Sequence, residues 1–90
     1  MAVRTVIVEP ETEKYLQNEA DRLNRLDDVY RSLEWRLARN PSIGEQIPGW
    51  NPPRFLVKSI NWKSIPFRLT LLYRFTDEEV VIEFARVEDV

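Results

Sequence analysis

The chain contains no cysteine and no histidine. The first absence excludes disulfides and thiolate metal sites. The second removes the commonest general base and the commonest zinc ligand. Carboxylate-only metal sites stay open in principle, but no acidic spacing suggests one, so neither a metal nor another cofactor is expected. Glycine is nearly absent as well: both glycines, with four of the six prolines, fall within residues 41–53, PSIGEQIPGWNPP, which marks that stretch as the principal loop. No apolar run approaches the length of a membrane span. The opening MAVRTVIVEP is too short and too charged for a signal peptide. A soluble, cytoplasmic protein without membrane contact is the expectation, folded as one domain over residues 1–90. A chain of this size buries roughly 60–65 % of its unfolded surface, enough for an adequate core.

Charge is unevenly placed. The net charge is −2, but residues 46–76 hold five Lys or Arg and no acid, whereas residues 77–90 hold six acids and one Arg. A basic stripe of this kind attracts a polyanion locally even when the whole chain does not. Solvated strand faces with acids nearby in space would read the same way.

The clearest structural signal is 67–87, FRLTLLYRFTDEEVVIEFARV. Phe67, Leu69, Leu71, Tyr73 and Phe75 alternate with Arg68, Thr70, Leu72 and Arg74, and alternation resumes after TDEE with Val80, Ile82 and Phe84. Period two predicts a hairpin turning at residues 76–79, with Phe75 opposite Val80, Tyr73 opposite Ile82 and Leu71 opposite Phe84. Ahead of it, residues 3–8 read as a short strand and Glu9-Pro10-Glu11 as a helix start. Tyr15, Leu16, Ala20 and Leu23 follow at helical spacing. A second helix is predicted from about Leu26 to Asn40, with Asp27 as cap, an apolar stripe of Leu26, Val29, Tyr30, Leu33 and Leu37, and a local Arg31–Glu34 pair. The alternative is one continuous helix from Pro10 to Asn40, since no Gly or Pro interrupts it. Residues 54–60 predict a further strand. The order β-α-α-β-β-β implies an α+β fold: an N-terminal strand, a helical hairpin, then a three-stranded antiparallel meander, giving a four-stranded sheet whose apolar face the helices cover.

This order, with these joints, resembles the RelE/ParE superfamily of bacterial type II toxin–antitoxin toxins. The carriers are LARNPSIGEQIPG at 37–49, the following strand ending in basic Lys58, and LLYRFTDEEVVIEF at 71–84. The resemblance implies one of two activities: a ribosome-associated mRNA endoribonuclease (mRNA interferase) of the RelE kind, metal-independent and driven by 2′-OH attack, or a ParE-like inhibitor of DNA gyrase without nuclease chemistry. It also implies a cognate antitoxin as partner. An inactive member serving as a protein-interaction module is the third reading. Two features depart from the nuclease pattern: Thr70 stands three residues before Tyr73 where an Arg is common, and the chain ends RVEDV rather than in basic residues.

By strand parity Arg54 and Lys58 share one face, and Arg68 and Arg74 share the outward face of the hairpin. If these faces coincide, they form a cationic surface suited to a phosphorane-like transition state. Lys58, Arg68 and Arg74 are therefore the catalytic candidates, and Arg54 with Lys63 the nucleic-acid-binding ones, Lys63 because it lies beside Trp62. The bland alternative is charge placed for solubility and edge protection. Leu72, Val81 and Val87 interrupt the outer polar face and, with Trp35 off the main stripe of the second helix, are candidate partner contacts. Tyr73 reads as a core residue, Trp50 as a cap on a core edge or a stacking side chain, and Arg86 as an inner-face residue leaving the core at the strand end.

Overall fold

A computed structural model describes residues 3–59 and 65–89. The elements follow in the order β1 (Thr5–Val8), α1 (Pro10–Arg22), α2 (Leu26–Arg39), a 3-10 turn (Pro41–Ile43), β2 (Glu45–Ile47), β3 (Arg54–Lys58), β4 (Phe67–Phe75) and β5 (Glu79–Asp89). The class is α+β, with two helices and a five-stranded mixed sheet ordered β1-β5-β4-β3-β2. β1 runs parallel to β5, and β2 through β5 pair antiparallel in succession. The expected four-stranded sheet thus gains a fifth strand, β2, inside what reads as a loop. Its three residues sit between Gly44 and Pro48, too short a run to show a period.

Two separate helices form, not one. Pro10 occupies the first turn of α1, and Glu11 and Glu13 face its positive end. The break between helices contains neither Gly nor Pro; Arg25 takes the left-handed conformation there, with φ 73°. Arg25, not Asp27, holds the cap position of α2. Asp27 instead lies in the first turn and pairs with Arg31 at 3.2 Å, which displaces the expected Arg31–Glu34 pair. The predicted stripe of α2 is the buried one: Leu26, Val29, Leu33 and Leu37 are all in the core, and Ala38 joins them. Each such Leu or Val contributes roughly 1.5–3 kcal/mol relative to exposure.

The helices cover one face of the sheet, made by Val57, Phe67, Leu69, Leu71, Tyr73, Val80, Ile82 and Ala85, with Phe55, Phe75 and Val87 packed at its margin. Phe75 faces Val80 and Tyr73 faces Ile82, as the alternation implies. Beyond that point the register slips. Leu72 pairs with Phe84 and Tyr73 with Ile82, so Glu83 is an extra residue opposite no partner. This β-bulge reverses the parity of everything after it. Leu71 therefore faces Ala85, not Phe84. Phe84 turns to the outer face, where it is 56 % exposed, while Val87 turns inward opposite Leu69 and Arg86 outward opposite Thr70. α1 fastens the bulge: Thr12 Oγ1 donates to the Glu83 carbonyl at 2.8 Å, and the Glu9 amide donates to the Ile82 carbonyl at 3.1 Å.

Tyr73 ties the loop to the core. Its buried hydroxyl donates to the Pro41 carbonyl and accepts from the Gly44 amide, the latter at 3.0 Å. A Cβ at Gly44 would fall 2.4 Å from that hydroxyl and 2.8 Å from the Leu56 carbonyl, so only glycine fits. Burial pushes the pKa of the Tyr73 phenol above its ordinary value, against a smaller lowering by the Gly44 amide. Tyr73 is thus the core residue expected, with no free hydroxyl for chemistry.

Candidate functional site

The outer face of β3, β4 and β5 carries the candidate residues in rows set by the strand register. The first row holds Arg54 and Arg74, with the bulged Glu83 between β4 and the end of β1. The second is apolar: Leu56, Leu72 and Phe84 lie side by side on three strands, with Glu45 at the edge. The third is Lys58, Thr70 and Arg86, and the fourth begins with Arg68 opposite Glu88. Successive rows are about 6.6 Å apart along the strands and neighbouring strands about 4.8 Å apart.

Two of the expected cations are spent on structure. Both oxygens of the Glu83 carboxylate are engaged: Arg54 Nε donates to one, and Arg74 Nε to the other at 3.3 Å. Arg54 also donates to the Pro52 carbonyl at 2.6 Å and lies 5.4 Å from the centre of the Trp50 ring. Its side chain is only 15 % exposed. Arg54 and Arg74 do share the outer face, but a carboxylate that sequence parity placed without a role holds them.

Lys58 and Arg68 are in a different state. Among the described residues neither forms an ion pair. Lys58 is exposed and Arg68 half-buried. Arg86 joins them by virtue of the bulge; its contact with Glu88 is long, 3.8 Å, and highly exposed, so it neutralises little. Thr70 sits between Lys58 and Arg86 in the register, and its hydroxyl is buried with no hydrogen-bond partner. Thr70 thus contributes no charge and no accessible side-chain polar atom to the row between Lys58 and Arg86. Lys63 and Trp62 lie outside the described residues.

The partner candidates divide. Leu72 is half-buried on the outer face, as expected. Val81 has outer parity but is 6 % exposed, set between Arg74 on β4 and Ile7 on β1, so it offers no surface. Val87 belongs to the inner face. Trp35 is 59 % exposed on α2, away from this face, with the Arg39 guanidinium 4.0 Å above its ring. Trp50 is 50 % exposed beside Arg54 and does not close the core.

No protein-family model, curated protein or solved structure matches this chain. Chemistry must therefore be read from the site itself. Among the described residues no group of three or more acidic side chains is placed to hold a metal ion, and no helix is long and apolar enough to cross a membrane. What the face offers is charge and shape: five cations against Glu45, Glu79, Glu83 and Glu88, in a chain that is negative as a whole.

Sequence reasoning missed Phe84, Arg86 and Glu83. A signal was present. Along β4 the polar outer residues Arg68, Thr70 and Arg74 keep one parity, whereas along β5 they change from odd at Glu83 to even at Arg86 and Glu88. A regular strand with one wet face cannot do that.

Proposed function

We propose that this chain is the toxin component of a bacterial type II toxin–antitoxin pair, acting on mRNA at the ribosome through the outer face of its sheet. The observation that carries the reading is that the register brings Lys58, Arg68 and Arg86 together on the sheet face opposite the helices, on either side of Thr70. A second observation supports it. Two of the three segments that carry the family resemblance, 37–49 and 71–84, meet at Tyr73, whose hydroxyl bonds Pro41 and Gly44. Within the fold they form one structural unit.

The chemistry suited to such a face is phosphodiester cleavage by the neighbouring 2′-hydroxyl. The 2′-oxygen forms a bond to phosphorus as the bond to the 5′-oxygen breaks, leaving a 2′,3′-cyclic phosphate and a 5′-hydroxyl. Arg68 and Arg86 would stabilise the charge that gathers on the phosphoryl oxygens, and Lys58 would give a proton to the departing 5′-oxygen. The 2′-hydroxyl proton passes to solvent. Arg74, held by Glu83, is not assigned a step. The antitoxin would cover the same face and so silence it.

The test is controlled expression in a bacterial host, alone and with the adjacent small reading frame, with transcript ends mapped on ribosomes. Growth arrest that the neighbour relieves, with codon-phased ends lost in Lys58→Ala or Arg68→Ala, is the expected result. A gyrase inhibitor is the second reading, favoured by Trp35, an aromatic anchor with a stacked Arg39 on the helical layer. It predicts arrest and supercoiling defects without new transcript ends.

A further inference from the structure

The bulge at Glu83 brings an aromatic ring to the outer face at the β5 end of its row, where Glu11, Thr12 and Tyr15 of α1 line a cavity with Phe84 and Arg86. Phe84 lies on the sheet with 56 % of its surface in water, although strand alternation would have buried it. Leu72 and Leu56 continue its row, and the row is bracketed by Arg54 and Arg74 on one side and Lys58 and Arg86 on the other. Arg86 follows on the same face two residues along, about 6.6 Å away. The Glu83 carboxylate beside it is already neutralised by two guanidinium groups, so it does not repel an anion.

A protein helix would want a wider apolar strip than one row of three residues. A flat ring near Lys58, which forms no ion pair among the described residues, and near Arg86, whose ion pair there is the long exposed contact with Glu88, suits an unpaired nucleotide, whose base stacks on the ring while its phosphate meets a Lys or Arg. We propose that Phe84 is a base-stacking platform for single-stranded RNA, with the phosphates on either side of the stacked base held by Lys58 and Arg86. The inference rests on the reading of this face as an RNA site and adds the residue that positions the strand upon it.

The experiment uses the full chain and a fluorescently labelled single-stranded RNA of about ten nucleotides, followed by anisotropy at low salt. Phe84→Ala should weaken binding by roughly five- to 150-fold, the range measured for loss of one base–aromatic stack. Phe84→Trp should retain binding, and Phe84→Leu, which keeps apolar bulk without a π face, should behave like the alanine variant. An exposed side chain makes all three tolerable to the fold, which equal thermal midpoints would verify. Leucine matching phenylalanine would overturn stacking and point to an apolar protein contact. Binding that ignores Phe84 but falls in Lys58→Ala would overturn this inference alone. Wild-type protein that binds no RNA would remove the reading of the face itself. Equal affinity for DNA of the same sequence would overturn RNA as the occupant.

Discussion

Glu83→Gln should make the protein less stable and a better ligand for nucleic acid at once. The carboxylate is the shared counter-charge of Arg54 and Arg74, whose side chains are 15 % and 35 % exposed, and is itself 19 % exposed. Breaking a fully buried ion pair costs about 3–5 kcal/mol, and losing a surface pair about 1 kcal/mol or less. This cluster lies between those limits, and glutamine keeps one oxygen as an acceptor, so a loss of about 1.5–2.5 kcal/mol is expected. In a domain of this size that lowers the thermal midpoint by roughly 6–20 °C. The bulge itself should persist, because Thr12 holds the Glu83 carbonyl and not its side chain. At the face, the substitution adds one net positive charge and removes the counter-charge of two guanidinium groups. Affinity for single-stranded RNA should rise, and the plot of log affinity against log salt should steepen by about 0.7 for each phosphate newly contacted. Thermal denaturation and anisotropy over a salt series measure both halves. A variant that is destabilised but shows an unchanged salt slope would mean that Arg54 and Arg74 are purely structural, and would refute the claim that Glu83 sets the charge of the face.

The other predictions concern the loop, the free cations and alkaline pH. Tyr73→Phe strands the Pro41 carbonyl and the Gly44 amide in a buried site and should cost about 2–5 kcal/mol by denaturant titration. Gly44→Ala should be severe in the wild type but cost less in the Tyr73→Phe background, since the nearest clash is with the absent hydroxyl; a double-mutant cycle that came out additive would contradict the packing described. Lys58→Ala and Arg68→Ala should leave the thermal midpoint within about 2 °C while lowering the salt slope, because neither side chain forms an ion pair among the described residues. Tyr30 and Tyr73 both ionise above their ordinary value of 10.0: burial is the main cause for each, and for Tyr30 the adjacent Glu34 adds to it. Between the unfolded and folded values the native state holds protons that the unfolded chain has released, so stability is complete below pH 10 and falls as pH rises above it. Tyr30→Phe should remove part of that alkaline loss at little cost at pH 7, as its hydroxyl is buried without a well-formed hydrogen bond.

Much of this architecture is legible in the chain because period and burial agree. The stripe Leu26, Val29, Leu33 and Leu37 has one helical face, and Phe67 through Phe75 has one strand face, so each could settle in only one way. The site is less legible, because its state depends on what three strands bring together. Parity puts Arg54, Lys58, Arg68 and Arg74 on a common side, but says nothing about which of them meets a carboxylate. That is decided by Glu83, and Glu83 reaches Arg54 and Arg74 together because it is the bulged residue, displaced from the pairing that would otherwise fix it opposite a single neighbour. The same displacement exposes Phe84, turns Val87 inward and brings Arg86 into the row of Lys58. One inserted residue therefore sorts the cations into a held pair and a free group and sets an aromatic ring between them. The reversal of polar parity from Glu83 to Arg86 is the trace of that event in the sequence. Read as a bulge and not as an imperfect strand, it would have moved the candidate site from Arg74 to Arg86 before any coordinates were known.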